Sequence, residues 1–266
     1  MILKAGYGLD LNGFIVSDVS KDKIDHVYLP CIRESIDCLR KAFPEKLHSV
    51  YVYGSVARGE AIAVRSDLDL IAMFKCQLST KETAALKSLG EELSHKYRSN
   101  VREVGMAVAN VEYTLDPFNY YENAFIKELC VCVYGEDLGK QFGPYKLTPE
   151  IPIAFNGDIC ESLTRTLNKF ILASDEEVQI ISQGFARKLI RTFYSMVMVR
   201  GQIWSTRLRE QAEVVIHHFP DKKSIILILL KWIEEPPTDR DSTYELMKRE
   251  GEWACANFAQ EVIVCN

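Results

Sequence analysis

Two short stretches hold side chains whose types and spacing could do chemistry together. The first is Gly54-Ser55, at the end of the extended run Ser49 to Tyr53; the second is Asp67-Leu68-Asp69-Leu70. Side chains alternate faces along a strand, so Asp67 and Asp69 emerge together while Leu68 and Leu70 point into a core. Two carboxylates on one face can share a divalent cation. A Gly-Ser turn opening a short helix offers a glycine that lets the backbone come close, a hydroxyl, and N–H groups at a helix start, a set suited to a polyphosphate. Mg²⁺ joins the two stretches chemically, because it prefers hard oxygen ligands and is usually held by one or two carboxylates plus substrate phosphates.

The elements that must position these residues can be read on either side. From Lys23 to Phe43, apolar residues at Ile24, Val27, Tyr28, Cys31, Ile32, Ile36, Leu39 and Phe43 recur at helical spacing, with Pro30 inside the run marking a kink or a start and Pro44 ending it. Ser79 to Tyr97 reads as a second amphipathic helix, capped by Ser79 or Thr80 with help from Glu82. Val101 to Val108 reads as a strand whose even positions, Arg102, Val104, Met106 and Val108, are buried. Glu103 is the one acid in that strand, and an embedded carboxylate needs a metal, a base role or a salt bridge to a neighbouring arginine. Glu112 and Asp116 are weaker candidates for the same seat.

Gly-Ser, a gap of about ten residues, and Asp-x-Asp on strands resembles the nucleotidyltransferase superfamily that includes DNA polymerase β. The string Arg102-Glu-Val-Gly-Met-Ala-Val108 is similar to the strand that carries the catalytic glutamate in aminoglycoside adenylyltransferases. Arg191-Thr-Phe-Tyr-Ser195 resembles an Arg-x-aromatic-Tyr-Ser segment in the helical domain of the streptomycin/spectinomycin members. Where that family places a lysine after the next loop, this chain has Ser205-Thr206-Arg207, and arginine is not equivalent to lysine at a phosphate site.

The resemblance implies an α/β nucleotidyltransferase domain with a mixed sheet and flanking helices over residues 1–140, then an all-α helical bundle over 150–266, with nucleotide and acceptor between them. It implies transfer of a nucleoside monophosphate, AMP from ATP, to a hydroxyl of a small molecule such as an aminoglycoside, with release of pyrophosphate. Asp67, Asp69 and Glu103 would be the catalytic and metal-binding acids for two Mg²⁺ ions, with Glu103 as base, ligand or both. Gly54, Ser55, Arg58, Arg187 and Arg191 would contact the nucleotide, although Arg58 and the Arg187/Arg191 flank can also be read as solvated surface. Within the same superfamily, a protein- or tRNA-modifying transferase is the alternative; outside it, a nucleotide-binding regulatory module without turnover.

Composition narrows the partners. The chain has 266 residues, 47% apolar and 26% charged, with a net charge of −5. That balance opposes a general affinity for polynucleotide backbones, which demands a basic surface. Eight cysteines (31, 38, 76, 130, 132, 160, 255 and 265) show no C-x-x-C pair and read as reduced, buried small hydrophobes. The start of the chain lacks the charged and apolar regions of a signal peptide, and Ile225 to Leu230 is too short to cross a bilayer. A cytoplasmic protein is the expectation. Gly139 to Pro152 reads as a linker, followed by five helices at Asp158–Ala173, Glu176–Arg200, Ser205–His218, Ser224–Glu234 and Ser242–Val264.

Overall fold

The computed structural model describes residues 3–263. It divides into two compact units, one of residues 17–144 and one that joins the described residues before 17 to those from Tyr145 onward.

The first unit is α/β. In chain order it contains α1 (Leu29–Ala42), β1 (Leu47–Tyr53), α2 (Gly54–Arg58), β2 (Leu68–Phe74), α3 (Thr80–Lys96), β3 (Val104–Asn110), α4 (Val111–Leu115), α5 (Asn123–Leu129) and β4 (Cys130–Gly135). The sheet order is β3-β2-β1-β4, with β1 antiparallel to β2 and to β4, and β2 parallel to β3. Strand alternation then decides what each face does. Val50, Val52, Leu68, Leu70, Ala72 and Phe74 join Cys31, Ile32 and Leu39 of α1 and Leu86 and Leu93 of α3 in one buried core. Burying each large side chain stabilises the fold by roughly 1.5–3 kcal/mol. The register pairs Tyr53 with Asp69 and Tyr51 with Ile71, so these four share the sheet face turned away from α1 and α3.

Local signals set the helix ends. Pro30 falls in the first turn of α1, where its missing N–H costs no hydrogen bond, which settles the choice between a kink and a start. Ser79 and Glu82 form a reciprocal capping box on α3. The Glu82 carboxyl is pulled down to about 2, first by its hydrogen bond from Lys46 and then by those from Ser79.

The second unit is helical: α6 (Glu150–Asn156), α7 (Ile159–Leu172), α8 (Asp175–Gly201), α9 (Leu208–His218), α10 (Lys223–Glu234) and α11 (Arg240–Ile263). The other five helices of the unit pack on α8, which is buried almost all round from Thr192 to Val199. One helix more is present than the sequence pattern suggests. α6 grows out of the stretch read as linker, because Pro152 lies in its first turn, where no intrahelical N–H bond is needed. The expected end of the last helix, Val264, lies outside the described residues.

The N-terminal residues depart from the expected 1–140 grouping. Gly6 N–H donates to the Gln202 carbonyl (2.8 Å), Trp204 N–H to Tyr7 (2.8 Å) and Ile15 N–H to Tyr145 (2.8 Å), which ties this segment to the helical unit. No described helix is long and apolar enough to cross a membrane.

Candidate active site

The site is built where β1 ends. Tyr53 is the last strand residue and Gly54 turns the chain into α2 with φ of +74°, a conformation L side chains rarely adopt. Glycine is needed here for a second reason. A Cβ at position 54 would lie 2.6 Å from Asp69 Oδ2, and one at Gly105, opposite Asp69 on β3, would lie 3.5 Å from Oδ1. The Asp69 carboxylate therefore sits between two glycines, Gly54 at the start of α2 and Gly105 on β3. Asp67 and Asp69 are half-buried while Leu68 and Leu70 are fully buried, so the expected alternation holds.

Asp67 is gripped by Arg102, which donates from Nε to Oδ1 at 2.8 Å and from an Nη to Oδ2 in a two-pronged pair. That hydrogen bonding is the chief reason the Arg102 pKa is raised, followed among the favourable causes by the charges of Asp67, Glu103 and Asp69. One guanidinium thus answers the field of all three candidate acids. No sequence pattern signals the pairing of Arg102 with Asp67, because the pair spans 35 residues and depends on strand register.

Glu103 differs from expectation. It is exposed, lies one residue before β3 begins, and is not embedded in a packed strand. Arg102 and Val108, expected to be buried, are also exposed, since β3 is an edge strand paired only with β2. The backbone nevertheless keeps Glu103 at the site: its carbonyl accepts from Leu68 N–H at 2.8 Å, one rung beyond the Leu68/Val104 pair and beside Asp67. Glu112 is exposed on α4, and Asp116 is occupied as a cap, accepting from Phe118 N–H at 2.9 Å.

Among the described residues no set of three or more His, Cys, Asp or Glu side chains is arranged to hold a metal by itself. The donor chemistry nonetheless fits Mg²⁺, which takes a few hard carboxylate oxygens from protein and the remainder from phosphate and water.

Residues 32–124, from within α1 to the start of α5, match the family model described as nucleotidyltransferase domain. They enclose Gly54, Ser55, Asp67, Asp69, Arg102 and Glu103. Residues 32–124 are a nucleotidyltransferase domain. Its presence makes the chain a transferase. No curated protein matches the sequence. Among solved structures, the chain is similar to spectinomycin adenyltransferase AAD(9) from Enterococcus faecialis, crystallised with ATP and spectinomycin. The two are 14% identical over 84% of this chain and 99% of that one, with a TM-score of 0.52, a likeness of fold. The mixed sheet with flanking helices and the helical region that follows agree with that architecture.

Within the nucleotidyltransferase domain, Ser55 is the second residue of α2 and half-buried. Arg58 closes the same short helix and donates from Nε to Glu60 at 3.0 Å, so its charge is already shared with a neighbouring acid. Arg187 and Arg191 stand one turn apart on α8 in the helical unit, half-buried and exposed respectively. Lys188, between them, bonds Asn156 (3.1 Å) and Asp158 (2.5 Å) and serves the packing of that unit. Tyr194 and Ser195, from the segment that resembles the streptomycin/spectinomycin enzymes, are structural. The Tyr194 hydroxyl donates to the Ile203 carbonyl (2.6 Å) and accepts from Ser205 N–H (2.7 Å), and Ser195 Oγ accepts from Asn156 (2.9 Å). Tyr194 holds the loop that leads to Arg207, and Ser195 ties α8 to α6.

Proposed function

We propose that the protein transfers a nucleoside monophosphate, AMP from ATP, to a hydroxyl group of a small acceptor such as an aminoglycoside, releasing pyrophosphate. The observation that carries this reading is the seating of the Asp69 carboxylate against the Gly54 turn. It joins the segment suited to a triphosphate with the acids suited to its counter-ion. Gly54 and the Ser55 hydroxyl hold the phosphate chain; Asp67 and Asp69, with Glu103 completing the set, would hold two Mg²⁺ ions. Bound there, Mg²⁺ supplies neutralisation of the triphosphate and of the charge that builds on the leaving pyrophosphate.

In the reaction, the acceptor oxygen forms a bond to the α-phosphorus as the bond to the β-phosphate oxygen breaks. Glu103, exposed and therefore reachable by an incoming hydroxyl, takes the acceptor's proton. Arg102 must loosen from Asp67 for the acids to serve the nucleotide. Arg58, Arg187 and Arg191 are the cations proposed to offset phosphate charge.

The acceptor is read as small and cationic. A net charge of −5 repels polynucleotides and attracts polycationic sugars. The AAD(9) structure, which contains ATP with spectinomycin, supports the same class.

The test is incubation with ATP, Mg²⁺ and a panel of aminoglycosides and aminocyclitols, with tRNA and cell protein in parallel reactions. Pyrophosphate release together with one added AMP on a small acceptor is expected. Label confined to tRNA or protein would replace the acceptor assignment, and ATP binding without pyrophosphate from any acceptor would replace the enzyme reading with a binding module.

A further inference from the structure

Cys160 and Cys255 are nearly a hundred positions apart in sequence, yet they meet. α7 and α11 run antiparallel against each other: Phe170 contacts Tyr244 with ring centroids 5.9 Å apart, and Leu163 lies against Gly251. Gly251 leaves the space that Leu163 fills, since a Cβ there would fall 2.4 Å from Leu163 Cδ1. Continuing the same antiparallel progression by about one turn on each helix brings Cys160 of α7 opposite Cys255 of α11. There the two thiols are near enough for each to act on the other's ionisation. Both are reduced, Cys160 is exposed and Cys255 half-buried.

We infer that Cys160 and Cys255 are a reactive dithiol that low-molecular-weight disulfides such as oxidised glutathione convert into a native intramolecular disulfide. Two independent features favour it. The antiparallel packing of α7 on α11, with Leu163 seated on Gly251 about one turn away, places the two cysteine-bearing turns beside each other, the juxtaposition a disulfide requires. The difference in exposure assigns the order of attack. Cys160, open to solvent, attacks one sulfur of the small disulfide, forming a mixed disulfide and releasing one glutathione thiolate. Cys255 then loses its proton to water, and its sulfur attacks Cys160 Sγ, expelling the second glutathione. The balance is two protein thiols and one disulfide giving one protein disulfide and two glutathione thiols. Burial, and then the neighbouring Cys160 thiol, push the Cys255 thiol up to about 12, consistent with its acting second.

The remaining described cysteines lack this pairing. Cys76 is exposed, Cys38 is half-buried, and Cys31, Cys130 and Cys132 are buried in the α/β unit. This corrects the reading of the cysteines as buried hydrophobes for Cys76 and Cys160, which are exposed, and for Cys38 and Cys255, which are half-buried; Cys265 lies outside the described residues. The inference concerns the helical unit alone and stands apart from the proposed transfer reaction.

The full chain, native, should be treated with oxidised glutathione, the free thiols alkylated, and non-reduced peptides read by mass spectrometry. A peptide linked through Cys160 and Cys255 is expected, with loss of two alkylatable thiols. Cys255→Ser should instead leave Cys160 trapped as a lasting glutathione adduct, and Cys160→Ser should leave Cys255 alkylatable once the protein is unfolded. Persistent glutathione on Cys160 of the wild-type chain without the linked peptide would overturn the inference. So would a linked peptide that forms only in denaturant.

Discussion

Replacing Gly54 by alanine separates two demands that the structure places on one residue. The first is backbone conformation: alanine at φ of +74° costs roughly 1–2 kcal/mol. The second is space: the new Cβ would meet Asp69 Oδ2 at 2.6 Å, so the carboxylate must retreat by about 0.8 Å to reach ordinary contact distance. Gly13 provides the control, because it has φ of +80° and nothing within 4 Å of a built Cβ. Gly13→Ala should therefore carry the strain without the displacement. Both variants should lose about 1–2 kcal/mol in urea denaturation. Only Gly54→Ala should lose Mg²⁺-dependent ATP affinity, by about 10–100-fold, the range for a disturbed metal-ligand support. Its turnover should fall by about 10²-fold, as expected for a catalytic group misplaced by close to an ångström. The assays are calorimetric titration of ATP with Mg²⁺ or Mn²⁺ and pyrophosphate release. Metal-dependent ATP binding within twofold of wild type, alongside a stability loss equal to that of Gly13→Ala, would refute the claim that Gly54 positions Asp69 for the nucleotide.

Further expectations follow from the same geometry. Arg102→Met removes the cation that occupies Asp67; because the pair is partly exposed, stability should change by less than about 1 kcal/mol and Mn²⁺ affinity, followed by electron paramagnetic resonance, should rise a few-fold. A fall in affinity would show that Arg102 supports the metal site rather than competes for it. Asp69→Asn keeps shape and removes charge, so the thermal stabilisation that MgATP gives the wild-type protein should vanish; an undiminished shift would argue against Asp69 as a ligand. Glu103→Gln should leave MgATP affinity unchanged and slow the chemical step by about 10²–10⁴-fold if it is the base, whereas weakened affinity in the same titration would make it a ligand. The buried Glu128 carboxyl is pushed up to about 7, mainly by desolvation. Between the ordinary carboxyl value and pH 7 the folded chain holds a proton that the unfolded chain has released, so stability falls as pH rises through this window. Glu128→Gln should abolish that fall and be more stable than wild type at pH 8 by on the order of 2–3 kcal/mol. Parallel stability curves for variant and wild type would remove Glu128 as the cause.

The features read correctly from sequence are those set by short-range covalent geometry. The period of two along Asp67 to Leu70 places both acids on one face whatever surrounds them. Ser79 with Glu82 starts α3 through hydrogen bonds only three residues apart. Pro30 belongs in the first turn of α1 because its ring removes one N–H. Gly54-Ser55 and Asp67-x-Asp69 are each locally legible; the pairing of β1 with β2, Tyr53 opposite Asp69, is what brings them together. The helical unit is legible in outline for a similar reason, except for α6, because a proline reads locally as a breaker whereas Pro152 sits in the first turn of α6.

What tertiary structure alone decided is everything that depends on register and on the approach of distant elements. Arg102 and Val108 read as buried by alternation, yet β3 begins only at Val104, after Glu103, and lies at the sheet edge, where burial does not follow period. Arg102 finds Asp67, and Gly105 faces Asp69, only because β2 and β3 pair in parallel with Leu68 opposite Val104. A slip of one residue would send each of these side chains to the other face. The N-terminal residues join the helical unit through backbone hydrogen bonds that no local pattern encodes. Cys160 comes beside Cys255 because α7 and α11 pack antiparallel, with Leu163 seated on Gly251. Periodicity states which way a side chain points; the packing of elements far apart in sequence determines what it meets.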